Sequence, residues 1–451
     1  MTTVSPVPAG SFGSAGSFGS ARTAGSGGSF GDRVSPLRLT LHQWSALTVV
    51  WLWFTVKFGI VEQLYRPPGA FATAALPAMA LMVLVIAPRG TIGRIPVSVP
   101  LLAVLCWTAM SAAWSRDPVF SQFQIRNEIP VLLMVLAVIA TLPTEVVRQG
   151  LCWMYYGVTM LSLATSLTRP ESQVAPKGAE LDEGELIGWR GLFDHKNGLG
   201  VFLVLGMIAI LAFERRRPLR ILGALLAAAC VVGSRSATAA SGFMVALIVW
   251  IWVGLLNRST NQRDRALFGL VSIAMAIMAV FVGLGLMPAF LDLYGKDFTF
   301  SGRTIIWRES MEVVEDNPII GVGYGGVWHD IQGPLTSGLH RQIGFNAAHA
   351  HNGAIEVLME TGLIGLVLFV VFFASVVRKA ASLLETPARM TARWALACCA
   401  GVAFMGIGEV LFQGSMLGFL AIIWMVVARA QQDVQADTSL PIETRLGAGR
   451  R

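Results

Sequence analysis

The chain has 451 residues, of which 54% are hydrophobic and only 14% are charged, and its formal net charge is +7. The core of a soluble domain cannot bury so large an apolar fraction, which excludes an ordinary water-soluble protein and indicates a membrane protein. The apolar runs are continuous and do not alternate with polar residues, so they predict transmembrane helices. All five cysteines lie within these runs, and this excludes a disulfide framework.

The two ends of the chain differ from the rest in composition. Residues 1–36 repeat Ser-Phe-Gly units within Gly, Ser and Ala, and are predicted to be a disordered cytoplasmic tail. No charged segment followed by an apolar core precedes the first span, so a cleaved signal peptide is not expected. Residues 431–451 are predicted to be a second cytoplasmic tail.

Residues 37–430 are predicted to form one multi-spanning membrane domain of the all-α class. About twelve apolar segments are candidate spans, with eleven or thirteen as alternative counts. The segments are 44–61, 70–87, 96–114, 129–142, 151–168, 198–213, 219–233, 237–256, 266–287, 353–377, 393–410 and 413–428.

Lys and Arg in the short loops predict the orientation of this domain. With both termini in the cytoplasm, the dense basic clusters at 214–220 and 257–265 stay on the inner side. The surplus positive charge is then a topology signal and needs no nucleic-acid partner. Residues 169–197 and 288–352 become long periplasmic loops. These loops hold five of the six histidines, namely His195, His329, His340, His349 and His351.

The segment "GWRGLFDHKNGLG", residues 188–200, crowds polar side chains just before the sixth span. One interpretation is a polar helix entry with a cap and basic residues that reach the headgroups. The other is an anion site, because cations and a helix N-terminus both attract negative charge. The polar residues are Arg190, Asp194, His195, Lys196 and Asn197.

Arg235, in "VVGSRSATAASG", stands between two spans with almost no loop around it. A guanidinium within the membrane is costly unless it faces a polar cavity or a partner. It either ends a helix at the headgroups or provides a fixed, charged fork for phosphate.

Residues 300–328 predict a short amphipathic helix that begins at Ser301 or Thr304 and ends at Asn317-Pro318, followed by a Gly-rich turn. The predicted apolar face comprises Trp307, Met311 and Val314. The predicted polar face comprises Arg308, Glu309, Glu312 and Glu315. At the start of the helix, Arg303 is a better candidate than Arg308 for contact with a ligand.

In "AHAHNGAIEVLMETGLIG", Asn352 is a predicted N-cap, and Gly362 and Gly365 are expected to permit close helix packing. His349 and His351 could be metal ligands, but no carboxylate stands at a usual ligand spacing nearby. A single histidine acting as a general base, oriented by a carboxylate such as Glu356, is the preferred interpretation, and no metal is expected.

In this order, "GLFDHKNGLG", "SRSATA", "SGRTIIW", "NPIIGVGYGG" and "HNGAIEVLMETGLIG" resemble the O-antigen ligase and polysaccharide polymerase superfamily. The resemblance implies a GT-C-like glycosyltransferase of the bacterial inner membrane that uses undecaprenyl-diphosphate-linked sugars without a metal or other cofactor. It implies that Arg235 and Arg303, with Arg190 and Lys196, hold the donor diphosphate, and that His351 activates the acceptor hydroxyl. The supporting residues are Asn352, Glu356, His195 and Asn197.

The leading functional hypothesis is a polymerase of lipid-linked repeat units into exopolysaccharide or O-antigen. The alternatives are a ligase that transfers finished glycan to lipid A-core, a flippase for lipid-linked sugars, and a structural scaffold. The expected partners are the lipid-linked donor, a glycan or lipid-linked acceptor, the bilayer and other export or assembly proteins. A flippase predicts ionisable residues distributed through the spans, whereas here they concentrate in the outer loops.

Overall fold

The computed structural model describes residues 39–57, 69–168, 188–193, 196–257, 303–410 and 415–439. Within these ranges the regular secondary structure is helical throughout, as predicted. The α-helices of the first half are α1 (Leu41–Lys57), α2 (Gly69–Val85), α3 (Val99–Met110), α4 (Pro118–Thr141), α5 (Thr144–Thr168), α6 (Lys196–Phe213), α7 (Arg217–Ser234) and α8 (Ala237–Leu256). Those of the second half are α9 (Arg303–Asp316), α10 (Pro334–Ile343), α11 (Gly353–Ala381), α12 (Arg389–Met405) and α13 (Ser415–Ser439).

Eleven of the predicted spans coincide with helices, and the segment 266–287 lies outside the described residues. Among the described residues, six helices are long and apolar enough to cross a membrane, namely α4, α6, α7, α8, α11 and the part of α13 from Leu417. The count of twelve and the GT-C-like topology therefore stay predictions. The predicted tail 1–36 is also outside the described residues, while α13 continues to Ser439, well past the predicted end of its span at 428.

The helix α4 begins earlier than its apolar content predicts, because capping extends it into polar sequence. For α4, Asp117 accepts a hydrogen bond from the Phe120 amide at 3.0 Å, and Pro118 occupies the first turn. An N-cap side chain that accepts a hydrogen bond and a proline in the first turn both favour helix initiation. The helix α4 therefore begins eleven residues before the predicted span at 129.

The helix α6 lies at the centre of the bundle. Its sequence is apolar on all sides, which is typical of a helix surrounded by other helices. Leu199, Leu203 and Ile208 are fully buried, and α6 contacts α5, α7, α8 and α12. Because α6 is held on all sides, the positions of its first two residues, Lys196 and Asn197, are fixed as well.

An apolar cluster joins α9 and α10 to the loop between them and to the start of α11. The predicted faces of α9 are right in part, because Val314 is buried and Arg308, Glu312 and Glu315 are exposed as predicted. Its buried side chains include Ile306, Val313 and Glu309, whereas Met311 is exposed. The helix is rotated because the side chains that fill the cluster come from Ile306 and Val313, and Glu309 is buried while paired to Arg308 at 2.6 Å.

The helix α11 is broken at Gly362, which has φ 68° and ψ −171°. The predicted role of Gly362 in close helix packing is therefore incomplete, because its positive φ interrupts the helix. The Gly-rich turn fills the break: the Val322 amide donates to the Met359 carbonyl at 2.8 Å, and the Gly323 amide donates to the Glu360 carbonyl at 2.8 Å. The part of α11 before Gly362, which follows His349 and His351, is thus held by the Gly-rich turn, and the apolar remainder belongs to a candidate span.

Tyr324 anchors the same Gly-rich turn to α4. Its hydroxyl donates to Glu128 Oε2 at 2.7 Å, and its amide donates to Ser111 Oγ at 3.0 Å. Burial, together with the negative charge of Glu128, raises the pKa of Tyr324 well above its ordinary value, so the hydroxyl remains a proton donor.

Candidate active site

The ends of several helices meet at one end of the bundle, where most predicted site residues lie. The starts of α6, α8, α9 and α11 come together there with the turn 406–410 that follows α12. At the start of α11, the Gly353 amide donates to the Gly406 carbonyl at 2.8 Å. Residues that are far apart in the sequence therefore share one surface.

Arg303, the first residue of α9, is held by the turn after α12. Its Nη1 donates to the Gly408 carbonyl at 2.6 Å, and its Nη2 lies 3.5 Å from Glu409 Oε1. The side chains of Arg303 and Glu409 are 13% and 14% exposed. Attraction between charges is stronger at such burial than at an open surface, so the contact fixes the direction of the guanidinium.

Asn197 connects Glu409 to the start of α8. Its Nδ2 donates to Glu409 Oε1 at 2.6 Å, and its Oδ1 accepts a hydrogen bond from Ser236 Oγ at 2.8 Å. Ser236 is the N-cap of α8 and accepts from the Ala239 amide at 3.2 Å. Both ends of the buried amide are thus satisfied, and three chain segments are joined through it.

Arg235 ends α7, immediately before Ser236. Its φ of 48° is left-handed, a conformation common at helix C-termini but unusual for arginine. The side chain is exposed at the end of the helix, which agrees with the first of the two alternatives, a helix end; a role in binding phosphate stays a prediction. Lys196, the first residue of α6, is buried beside Asn197.

Arg190 lies in the segment 188–193, which packs against the end of α7. The Trp189 amide donates to the Gly233 carbonyl at 2.8 Å, and a Cβ on Gly188 would lie 2.0 Å from the Ser234 carbonyl oxygen. This close approach brings the Arg190 backbone to the helix end that carries Arg235. His195 lies outside the described residues, so its predicted supporting role stays a prediction.

His349 and His351 lie side by side before α11. Their ring centroids are 3.9 Å apart, and the His351 amide donates to His349 Nδ1 at 3.2 Å. His351 has a left-handed backbone with φ 49°. Backbone strain of this kind persists only where the surrounding structure enforces it, and it concentrates at functional sites.

The side chains of Asn352 and Glu356 hold the backbone on either side of His351. Asn352 is the N-cap, as predicted, and its Oδ1 accepts from the Ala354 and Ile355 amides at 3.0 and 3.2 Å. Glu356 is fully buried; its Oε2 accepts from the Ala350 amide at 2.7 Å and its Oε1 from Trp328 Nε1 at 3.0 Å. Glu356 therefore anchors the backbone immediately before His351.

His349, His351 and Glu409 together form a possible metal site. Each offers one donor atom, and these atoms lie within 4.8 Å of one another. The sequence spacing suggested that no carboxylate stood near the histidines, and this is wrong because the turn after α12 brings Glu409 to them. Two imidazoles and a carboxylate suit zinc, but a metal would compete with the contacts that Asn197 and Arg303 make with Glu409. Metal independence thus stays a prediction.

Glu409 is the residue that the sequence analysis missed. It stands at the end of one predicted span, 393–410, a few residues before the next. An isolated carboxylate at membrane depth is costly and is a signal of function or of a partner. That signal was available, but the partners Arg303 and Asn197 could not be recognised without the fold.

Comparison with known proteins identifies a family match in this part of the chain. Residues 222–370 match the family model described as O-antigen ligase. The matched segment contains Arg235, Arg303 and His351. The resemblance drawn from the motifs is thereby confirmed over this segment.

Two relatives extend the comparison. The chain is 34% identical over 192 residues to the exopolysaccharide production protein ExoQ of Rhizobium meliloti (strain 1021), which covers 40% of this chain and 43% of ExoQ. It is 22% identical over 306 residues to the O-antigen ligase of Pseudomonas aeruginosa, which covers 66% of this chain and 69% of that ligase. The alignment with ExoQ thus spans less than half of either protein.

Proposed function

We propose that this chain is an inner-membrane glycosyltransferase that polymerises undecaprenyl-diphosphate-linked repeat units into exopolysaccharide or O-antigen on the periplasmic side. The observation that carries the proposal is the meeting of Arg303, Arg235 and Arg190 with His351 at one end of the helical bundle. Arg303 pairs with Glu409, which lies near the imidazole of His351, and a guanidinium and an imidazole in one site suit a reaction that expels a diphosphate and uses a hydroxyl nucleophile.

In the proposed reaction the arginines and Lys196 bind the donor diphosphate. Negative charge grows on the leaving diphosphate as the bond to the sugar breaks, so cations already in position stabilise the transition state more than the ground state. Arg303 is the best fixed of these cations because Gly408 and Glu409 hold it from the other side. Arg235 is exposed at its helix end, which leaves it accessible to a headgroup.

His351 is the proposed general base. An acceptor hydroxyl attacks the anomeric carbon of the donor sugar, and the new C–O bond forms as the bond from that carbon to the diphosphate oxygen breaks. The electron pair leaves with the diphosphate, and the hydroxyl proton passes to the imidazole. An imidazole titrates near neutrality and is suited to this transfer. The supporting contacts are those of Asn352 and Glu356 with the backbone on either side of His351.

The second candidate is an O-antigen ligase, which would use the same donor chemistry on a different acceptor. The observation that favours it is the alignment over 69% of the length of a protein named O-antigen ligase. A flippase is less favoured, because the charged residues discussed above meet at one end of the bundle.

Deletion of the gene followed by analysis of the surface glycan tests the proposal. We expect single repeat units to remain on the lipid carrier and long chains to be lost. Full-length glycan left on the lipid carrier would contradict the polymerase and support the ligase. Accumulation of the lipid-linked unit on the cytoplasmic face would contradict both and support a flippase.

A further inference from the structure

A cavity of about 570 Å³, whose lining includes charged and polar residues, lies far from the candidate active site. Its walls come from the start of α1, the loop after α2, the junction of α4 with α5, and α13. The 25 residues of α5 extend over about 37 Å. Thr144 at its start lines the cavity, and Ser162 near its end contacts the segment that carries Arg190. The cavity is therefore at the opposite end of the bundle.

The cavity lining carries two arginines and two carboxylates, so its own formal charge is balanced. Arg94 and Arg429 line it, and neither forms an ion pair with a carboxylate among the described residues. Arg429 Nη1 donates to Gln432 Oε1 at 2.9 Å, while its Nε is buried without a hydrogen-bond partner in the described structure. Gln432 Nε2 in turn donates to the Arg94 carbonyl at 3.2 Å, so both arginines belong to one connected wall.

The two carboxylates of the cavity are already engaged elsewhere. Glu145 lies 2.8 Å from Arg215 and 3.5 Å from Arg148. Asp433 accepts a hydrogen bond from the Thr144 hydroxyl at 2.5 Å. Asp433 also interacts electrostatically with Arg148, so both acids are compensated by arginines outside the cavity lining, and Arg94 and Arg429 remain to face an anion.

The surface beside the cavity is apolar and exposed. Leu41 and Trp44 flank the lining residues of α1 and are 80% and 54% exposed. Ile86 and Ile92 flank the lining residues of the loop after α2 and are 44% and 53% exposed. An anion site with an apolar margin on a membrane helix bundle fits an amphiphile, with its headgroup in the cavity and its chains along the helices.

We propose that this cavity binds the headgroup of an anionic phospholipid of the phosphatidylglycerol class. Arg94 and Arg429 would bind the phosphodiester, and His42 and Thr144, which also line the cavity, are polar partners for the glycerol hydroxyls. The volume is in the range of sites for ligands of about 300–1,000 Å³. Because its walls belong to α1, the loop after α2, α5 and α13, the lipid would hold these four elements together independently of catalysis.

Thermal unfolding of the purified full-length chain in detergent tests this inference. Phosphatidylglycerol is titrated into a background of phosphatidylcholine, and we expect a saturable rise in Tm. In Arg94→Gln/Arg429→Gln the half-saturating amount should rise about tenfold or more, with Tm in phosphatidylcholine alone unchanged. Arg94→Lys/Arg429→Lys, which keeps both charges, should retain most of the response. Arg89→Gln is the matched control, since Arg89 is in the same loop but does not line the cavity.

Other outcomes would overturn the proposal. Equal stabilisation by phosphatidylcholine, or an unchanged response in the double glutamine variant, would mean that the arginines bind no anionic lipid. Stabilisation by soluble glycerol phosphate at the same concentration would mean a site for a free phosphate. Displacement of phosphatidylglycerol by equimolar polyprenyl diphosphate would reassign the cavity to the lipid-linked substrate.

Discussion

Glu409 and Arg303 form a partly buried ion pair that joins the turn after α12 to the start of α9, with 3.5 Å between Oε1 and Nη2. The same carboxylate oxygen accepts a hydrogen bond from Asn197 at 2.6 Å. One acidic group thus holds two segments of the candidate active site and stands near His351. The pair explains why an isolated carboxylate is retained between two apolar segments, because its charge is compensated by the guanidinium.

The substitution Glu409→Gln should impair catalysis more than folding. The glutamine oxygen can still accept from Asn197, but the charge that orients Arg303 is lost. We expect kcat to fall about tenfold or more, with a loss of stability of about 1 kcal/mol. Glu409→Ala removes both contacts and should lower Tm further. Steady-state kinetics and thermal unfolding measure the two effects, and wild-type kcat in Glu409→Gln would show that the charge is not needed.

The substitution His351→Asn tests the proposed base. Asparagine tolerates the left-handed backbone of this position better than most residues but cannot accept a proton in the relevant pH range. We expect turnover to fall about 10²–10⁴-fold while the affinity for the lipid-linked donor is kept. Donor binding and chain elongation are measured on the same preparation. Turnover within a few fold of wild type would remove His351 from the mechanism.

The substitution Arg303→Ala should weaken donor binding, because it removes the best fixed cation of the site. An increase in donor Kd of about tenfold is expected from the loss of one charge-assisted contact. Arg341→Ala is the matched control, because Arg341 is exposed on α10 and has no hydrogen bond or ion pair with the site residues in the described structure. Equal effects of the two substitutions would indicate general electrostatic attraction in place of a specific contact.

A test of metal dependence distinguishes the two possible roles of His349, His351 and Glu409, which are a metal site and a site with His351 as general base. If His351 is a base, activity should survive a strong chelator, and added Zn²⁺ should inhibit by occupying the imidazole. His349→Ala removes one ligand and should weaken the Zn²⁺ inhibition. Activity that disappears with the chelator and returns with a divalent ion would overturn the metal-free reaction.

The substitution Gly362→Ala should destabilise the protein. A Cβ there would lie 2.2 Å from the Ile319 carbonyl oxygen, and the φ of 68° is unfavourable for alanine. We expect a loss of about 2 kcal/mol or more in the free energy of unfolding. Gly338→Ala is the control, because a Cβ there has no atom within 4 Å and alanine favours the helix α10. A neutral result at Gly362 would mean that the break in α11 is not required.

Local sequence was sufficient for the elements that capping residues and apolar runs define. Asn352 was predicted as an N-cap, and Asn317-Pro318 as the end of α9, because a cap or a proline acts on its immediate neighbours. The buried face of α9 was predicted only in part, since Glu309 is buried and Met311 is exposed. The buried face of this helix depends on the side chains of α10 and the loop that packs against it, and helical periodicity does not reveal which partner a helix will meet.

The sequence by itself determined the membrane-protein class, the helical architecture, and the stretches that hold Arg190, Arg235, Arg303 and His351, because composition and periodicity are properties of the local chain. Only the tertiary structure decided that Glu409 pairs with Arg303, that Asn197 links Glu409 to Ser236, and that Gly362 breaks α11. Each of these contacts joins segments that meet only after the helices have packed, and their energies come from burial and hydrogen bonding that no local pattern encodes.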